Sequence, residues 1–236
     1  MNALPERPLP IDIVSDVVCP WCFIGKRRLE KALALRPEIA TEVRWLPFFL
    51  NPWVPREGIT REEYLKTKFG SVERYNANVP RIVAAAKAEG LDYAPDKIAR
   101  QPNTLDCHRL ILWAGNSGDP GRMKQRLMDL YFSEGADLSD REVLVGAAVD
   151  CGMDAEVTRK LLASDADVAE VETAANSATE AGISGVPCFI FGGKFAVSGA
   201  QSPDYLADAM QRAAAEQKRI DSDIASPKVV EAAGRV

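Results

Sequence analysis

Ile11-Asp12-Ile13-Val14-Ser15-Asp16-Val17 runs on through Val18 into Cys19-Pro20-Trp21-Cys22, so an apolar strand gives way to a helix at a pair of cysteines. A cysteine at a helix start lies among unpaired backbone N–H groups and at the positive end of the helix dipole. Both favour a thiolate, and Cys19 is expected to ionise below the ordinary thiol range. Cys22 follows one turn along, within reach of a disulfide with Cys19. So small a ring constrains little of the unfolded chain and makes a poor structural staple. Redox chemistry is the better reading.

The helix is predicted from Pro20 to about Leu35, with proline at its favoured first position. Cys22, Gly25, Leu29, Ala32 and Leu33 share one face, which turns Cys22 toward the core and leaves Cys19 at the open end. Cys19 is therefore expected to attack and Cys22 to resolve. Val43 to Leu50 reads as a second strand, giving β-α-β. From about Ile59 to Asp167 the pattern is helical throughout, with no strand signal. Thr104 is predicted to cap a helix carrying Cys107, Leu110, Ile111 and Ala114. Further helices are predicted for Pro120 to Phe132, Asp140 to Cys151 and Ala166 to Glu180. Cys188 to Phe191, Gly192-Gly193 and Lys194 to Val197 read as a strand, a glycine hairpin and its partner strand. A last helix carries Leu206, Ala209, Met210 and Ala213, and the tail after about Glu216 is expected to fray or meet a partner. The expected boundaries are 1–52 (β-α-β), 53–165 (helical insertion), 166–215 (α-β-β-α) and 216–236 (polar tail).

The chain has 236 residues and a formal net charge of −5, which argues against a general nucleic-acid binder. No apolar run approaches the length of a membrane span. Met1 to Pro8 carries no apolar leader core, so the cytoplasm is the expected compartment. Five cysteines are an odd number in a chain of this size, which argues against a disulfide scaffold. A structural zinc site needs four ligands, and one cysteine pair with the single histidine, His108, falls short, so no metal is expected.

Four stretches carry a resemblance in order: Ser15-Asp16-Val17-Val18-Cys19-Pro20-Trp21-Cys22-Phe23-Ile24-Gly25, Trp45-Leu46-Pro47-Phe48-Phe49-Leu50-Asn51-Pro52, Asn103-Thr104-Leu105-Asp106-Cys107-His108-Arg109-Leu110, and Gly182-Ile183-Ser184-Gly185-Val186-Pro187. From about Ile11 to Ala213 the chain resembles DsbA-like thioredoxin-fold oxidoreductases. Within them it is similar to the FrnE-like members and to the related 2-hydroxychromene-2-carboxylate isomerases and kappa-type glutathione transferases. The resemblance implies an α/β thioredoxin fold with a large all-helical insertion. It also implies a cis Pro187 beside the cysteines, leaving the Val186 backbone free to pair with substrate. The isomerase and transferase relatives typically carry serine where this chain has Cys19, and a serine cannot form a mixed disulfide. Thiol–disulfide exchange therefore leads.

Pro20 and Trp21 would contact substrate, the Trp21 indole as an exposed cover beside the thiol. Pro20-Trp21 offers no cation, so a couple less oxidising than a histidine-containing one is expected, suited to reductase or isomerase work. Asp16 is either a proton acceptor or a turn cap. His108 either faces the cleft or makes a structural hydrogen bond. Asn51 and Asn103 would bind substrate polar groups by analogy with the isomerases, with turn formation and capping as the alternative. Cys107, Cys151 and Cys188 read as packing thiols spared by alkylation, Cys188 being the more ambiguous.

No cofactor is required, with glutathione the candidate reductant or cosubstrate. Expected partners are disulfide-containing proteins or small thiols, not nucleic acid or membrane, and a homodimer is a candidate state. Beside the oxidoreductase stand two other readings. One is a glutathione-dependent isomerase or transferase of small aromatic compounds; the other is a redox-switched binding module or holdase.

Overall fold

The computed structural model describes residues 7–225. Strand β1 (Leu9–Ser15), helix α1 (Pro20–Leu35) and strand β2 (Thr41–Pro47) open the chain. The middle holds β3 (Ile59–Thr60), α2 (Arg61–Phe69), α3 (Val72–Asn76), α4 (Val79–Ala88), β4 (Arg100–Gln101), α5 (Leu105–Ser117), α6 (Pro120–Asp129), α7 (Arg141–Asp150) and α8 (Ala155–Leu162). Helix α9 (Val168–Glu180), strands β5 (Cys188–Phe191) and β6 (Phe195–Ser198), and α10 (Pro203–Ala225) close it.

Four strands separated by the helical stretch form one mixed sheet in the order β2-β1-β5-β6. Strand β1 is central, parallel to β2 and antiparallel to β5. Its period-two alternation sends Leu9, Ile11 and Ile13 to one face, where Leu29 and Ala32 of α1 and Leu206, Met210 and Ala213 of α10 bury them. Val14 belongs to the other face, with Phe48, Cys188 and Ala178 of α9. Each such aliphatic side chain stabilises the fold by about 1.5–3 kcal/mol. The first turn and a half of α1 belongs to a different cluster. Cys22, Phe23 and Ile24 pack with Leu110, Met128 and Phe132 of the helical block. One helix thus spans both halves, with the cysteines at the seam.

Several predicted boundaries move. Strand β1 lies two residues earlier than Ile11 to Val17, because Asp16 to Val18 form a turn in which the Asp16 carbonyl accepts from the Cys19 N–H (3.4 Å). Strand β2 stops at Pro47 because its only partner, β1, ends opposite it at Ser15. The helical stretch is not free of strand: Ile59 and Thr60 pair with Gln101 and Arg100. Two residues are too few to leave a period-two pattern in the sequence. Helix α6 gives way at Leu130 to a turn of π-helix, Leu130–Glu134. The wider turn brings both Tyr131 and Phe132 inward, and Phe132 stacks on Phe23 at 5.2 Å. The expected fraying after Glu216 is also corrected. Helix α10 continues to Ala225, tied to the N-terminal strand by Gln217 Nε2 donating to the Arg7 carbonyl (2.8 Å). Residues 226–236 of the polar tail lie outside the described residues.

Gly25 lets α1 approach the loop that closes the site. A Cβ there would lie 2.9 Å from Pro187 Cγ and 3.2 Å from Phe189 Cζ. Both are ring atoms with little freedom to yield. Gly25→Ala would gain about 1 kcal/mol of helix propensity but incur about 1–3 kcal/mol of overpacking. We expect a lower Tm by thermal denaturation and no gain.

Candidate active site

Cys19 occupies the N-cap of α1 in extended conformation, with Pro20 at the first helical position, as the sequence predicts. Both cysteines are free thiols and buried, Cys19 at 4 % exposure and Cys22 at 2 %. The picture of Cys19 at an open end is therefore corrected. Its sulfur is reached through a cavity of about 360 Å³ that Val18, Cys19, Pro20, Trp21 and Val186 line. Trp21 is half-buried rather than an exposed cover, with the Arg81 guanidinium over its ring at 5.0 Å. Every one of these walls except Val186 comes from the strand–helix junction.

The two thiols titrate apart. The Cys22 side chain hydrogen-bonds the Cys19 sulfur and, despite burial, brings Cys19 below its ordinary value. The N–H groups of Cys22 and Trp21 add to this, while the Asp16 charge opposes it. Cys22 moves the other way: burial first, then its bond to Cys19 and the charge there, push it well up. Cys19 is the group that ionises, and Cys22 holds its proton. That asymmetry matches the roles of attacker and resolver.

The Val186–Pro187 bond is cis. The Val186 carbonyl accepts from the Cys19 thiol at 3.5 Å, so this acceptor is engaged by the sulfur itself while Cys19 is protonated. Pro187 packs against Gly25, and its carbonyl accepts from the Gly199 N–H (2.8 Å).

Behind the pair lies a buried charge cluster. Asp16 is fully buried; its Oδ2 accepts from the Leu50 N–H (2.8 Å) and its Oδ1 lies 3.3 Å from His108 Nε2. Burial alone would raise the Asp16 carboxyl, but His108, the Leu50 N–H and Lys124 outweigh it and keep it ionised. Asp16 is thus no turn cap through its side chain. His108 is pulled below its ordinary value by burial, against the favourable Asp16 bond, and is neutral at pH 7. It faces a separate 190 Å³ pocket with Lys124 and does not line the thiol cavity. It makes the structural bond to Asp16 while also lining this space between Trp45 to Pro47 and the helical block.

This histidine sets a pH dependence. Its folded value lies below the unfolded 6.5. The unfolded chain therefore binds more protons once the pH drops below 6.5, and stability is lost on the acid side. The slope is limited to about 1.4 kcal/mol per pH unit and ends below the folded value. Urea midpoints should fall between pH 7 and 5; a flat profile there contradicts a buried neutral His108.

Both asparagines make structural hydrogen bonds, though Asn51 Nδ2 has no hydrogen-bond partner among the described residues. Asn103 Oδ1 accepts from the Leu105 N–H (3.0 Å) and its Nδ2 donates to the Val54 carbonyl (2.7 Å). It performs the capping predicted for Thr104, whose side chain makes no cap bond. Asn51 is buried and accepts from Lys68 Nζ. Both line a neighbouring polar pocket rather than the thiol cavity. Cys107 and Cys188 are buried, and burial raises both thiols. Cys151, just past the end of α7, is half-buried and packs against the core of the helical block.

A profile for the DSBA-like thioredoxin domain matches residues 10–211. The chain belongs to this family. In sequence it is 25% identical over 184 residues to the uncharacterized protein YwbO of Bacillus subtilis (strain 168), covering 77% of this chain and 86% of that one. In structure it is similar to a probable DsbA oxidoreductase, SCO1869 of Streptomyces coelicolor, at 34% identity and TM-score 0.81, over 88% of this chain and 91% of that one. It also superposes on a 2-hydroxychromene-2-carboxylate isomerase at 17% identity and TM-score 0.65, over 92% and 100% of the two chains, which bears on the fold alone. The architecture of this DsbA-like chain is the expected thioredoxin fold with a helical insertion. Among the described residues no helix is long and apolar enough to cross a membrane.

The cations of this DsbA-like site, Lys124 behind the pair and Arg61, Lys68 and Arg81 around the cavity, escape the sequence reading. Lys124 of α6 is 1 % exposed, over the Trp45 ring at 5.4 Å, and its charge acts on Cys22, Asp16 and Cys19. Burial lowers its own value. Lys68 of α2 lines the thiol cavity. Lys124 lies three and four residues before Leu127 and Met128, inside the apolar stripe of α6, and that spacing was the available signal. The dipeptide carries no cation, as expected; the insertion supplies them instead.

Proposed function

We propose that this chain is a thiol–disulfide oxidoreductase of reductase or isomerase type, exchanging disulfides through Cys19 and Cys22. The observation that carries the reading is the placement of Cys19 at the N-cap of α1, with Cys22 one turn on, at the wall of a 360 Å³ cavity; the opposed shifts of the two thiols, Cys19 down and Cys22 up, support it. The Cys19 thiolate attacks one sulfur of a disulfide, a mixed disulfide forms and a thiolate leaves. Cys22 then attacks Cys19, the mixed disulfide breaks, and the second thiolate departs. Two electrons pass from the dithiol to the substrate. Pro20, Trp21, Val186 and Pro187 frame the sulfur for this step. Glutathione is our candidate for the reductant that restores the dithiol.

The proposed compartment is the cytoplasm, where Cys107, Cys151 and Cys188 would also persist as free thiols. Equilibration with glutathione redox buffers tests the direction. A potential near or below the cytosolic poise supports reductase work, and one well above it refutes it.

A second reading, a glutathione-dependent isomerase or transferase of small aromatic compounds, draws support from the tyrosines around the cavity, Tyr64, Tyr75, Tyr93 and Tyr131. It is separated from the first by the Cys19→Ser variant.

A further inference from the structure

Three cations line the thiol cavity and no acidic side chain does. Arg61, Lys68 and Arg81 stand on one side of it, from α2 and α4. Among the described residues none of the three lies within ion-pair distance of a carboxylate, in a chain whose net charge is −5. Their partners are neutral. The Arg61 guanidinium lies over the rings of Tyr64 (5.1 Å) and Tyr75 (4.9 Å) and donates to Tyr75 Oη (2.9 Å) and Gln101 Oε1 (3.2 Å). Lys68 Nζ donates to the Leu50 carbonyl (3.3 Å) and to Asn51, and its charge acts on Cys19. Arg81 is exposed and, among the described residues, lies over the Trp21 ring with no hydrogen-bond partner. Burial keeps the Tyr64, Tyr93 and Tyr131 phenols neutral, so they do not compensate the charge.

Lys68 feels the charges of Cys19 and Asp16, but cations with no carboxylate at ion-pair distance on an apolar, ring-lined wall still attract an anion that carries a flat apolar body. The volume falls in the small-molecule range, roughly 300–1,000 Å³. Cys19 is 4 % exposed, and the Val186 carbonyl accepts from its sulfur. Both features favour a compact ligand over an extended polypeptide.

We propose that the preferred substrate of this cavity is a small aryl disulfide bearing a carboxylate, with Arg61, Lys68 and Arg81 binding its carboxylate and the departing thiolate. The inference rests on the exchange reading above and specifies its substrate. The Cys19 thiolate attacks the sulfur nearer to it; the Cys19–S bond forms, the S–S bond breaks, and the bonding pair leaves on the second aryl thiolate. Attack by Cys22 on Cys19 then releases the first aryl thiolate and closes Cys19–Cys22. The protein dithiol is the reductant, so one turnover needs no other.

The test is single turnover of the reduced, full-length protein with 5,5′-dithiobis(2-nitrobenzoate), which is anionic and aromatic, and with 4,4′-dithiodipyridine, which is aromatic and neutral. Each rate is divided by the rate of the same disulfide with 2-mercaptoethanol, after subtraction of a Cys19→Ser blank that removes labelling of Cys107, Cys151 and Cys188. We expect the anionic disulfide to be preferred by about tenfold or more, the scale of one charge-assisted hydrogen bond. Lys68→Gln and Arg81→Gln should each cut that preference several-fold. Both rates can fall in Lys68→Gln, since Lys68 also faces the thiolate, and the ratio is therefore the readout. Equal normalised rates in the parent, or a ratio unchanged in both variants, overturn the proposal while leaving exchange intact. Faster normalised reduction of insulin assigns the site to polypeptides and likewise overturns it. If neither disulfide yields Cys19–Cys22, the exchange reading falls and this one with it.

Discussion

Cys19→Ser should abolish disulfide turnover, measured with 2-hydroxyethyl disulfide or insulin, by more than about 10³, down to the blank rate. A serine hydroxyl at this N-cap would stay protonated at neutral pH and could form no mixed disulfide. The fold should survive, because Ser is itself a favoured N-cap residue. Cys22→Ser should behave differently. Its Cys19 still attacks, but no resolver follows, so the protein accumulates as a mixed disulfide visible by intact mass. Cys22→Ser also removes the thiol that hydrogen-bonds the Cys19 sulfur, and the Cys19 value should rise. Glutathione-dependent turnover of an aromatic substrate that survives in Cys19→Ser would favour the isomerase or transferase reading. Stoichiometric binding without turnover in the parent protein would favour the redox-switched binding module.

The second large effect concerns Lys124. Its ammonium group is buried, and among the described residues no carboxylate lies within ion-pair distance of it. Burial of a charge costs several kcal/mol, and replacement by a hydrophobe of similar volume often stabilises by about 1–4 kcal/mol. Lys124→Met should therefore raise Tm by several degrees. The sign with pH agrees. The folded value of Lys124 is depressed, so the unfolded chain holds more protons above that value, and the penalty eases as pH rises through it. That dependence should vanish in the variant.

Stability gained this way would come with a chemical loss. The Lys124 charge acts on Cys22 and Cys19, favouring their thiolates. Without it both thiols should titrate higher, and the couple should become more reducing, by up to about 30 mV for each unit by which the pKa of one thiol rises. A variant that is destabilised, or whose potential moves upward, contradicts the role assigned to Lys124. The insertion helix would then be packing material rather than the source of the field behind the dithiol.

The parts of the molecule with short-range signals were legible. The β1–α1 junction announces itself through apolar alternation, then proline at the first helical position, then cysteines one turn apart. The glycine hairpin between β5 and β6 is equally local. The single sheet joining β1 and β2 to β5 and β6 followed from the β-α-β and α-β-β-α ends taken together, but its strand order did not, because nothing local reports pairing across more than a hundred residues. The β3–β4 pair is too short to show a period.

The site was half legible for a related reason. Burial of a charged side chain depends on what packs around it, and sequence reports only which face of a helix it shares. Lys124 and Arg109 both fall on buried faces. Arg109 is fully buried and donates to the Ala166, Leu161 and Ser164 carbonyls, clamping the α8–α9 connection beside the helix that carries His108. Cys107, His108 and Arg109 point in three directions and are all buried, since α5 is enclosed on nearly every side. A one-faced amphipathic reading could not anticipate that, and it left His108 open between cleft and core.

The ionisation of residue 19 tests the account most directly. In the reduced protein, the rate of Cys19 alkylation followed against pH, with Cys22→Ser and Cys19→Ser as controls, should give a midpoint below the ordinary free-thiol value of about 8.5, and the Cys22 thiol should titrate above it. A Cys19 midpoint at or above that ordinary value, or a Cys22 that ionises first, would contradict the assignment of attacker and resolver.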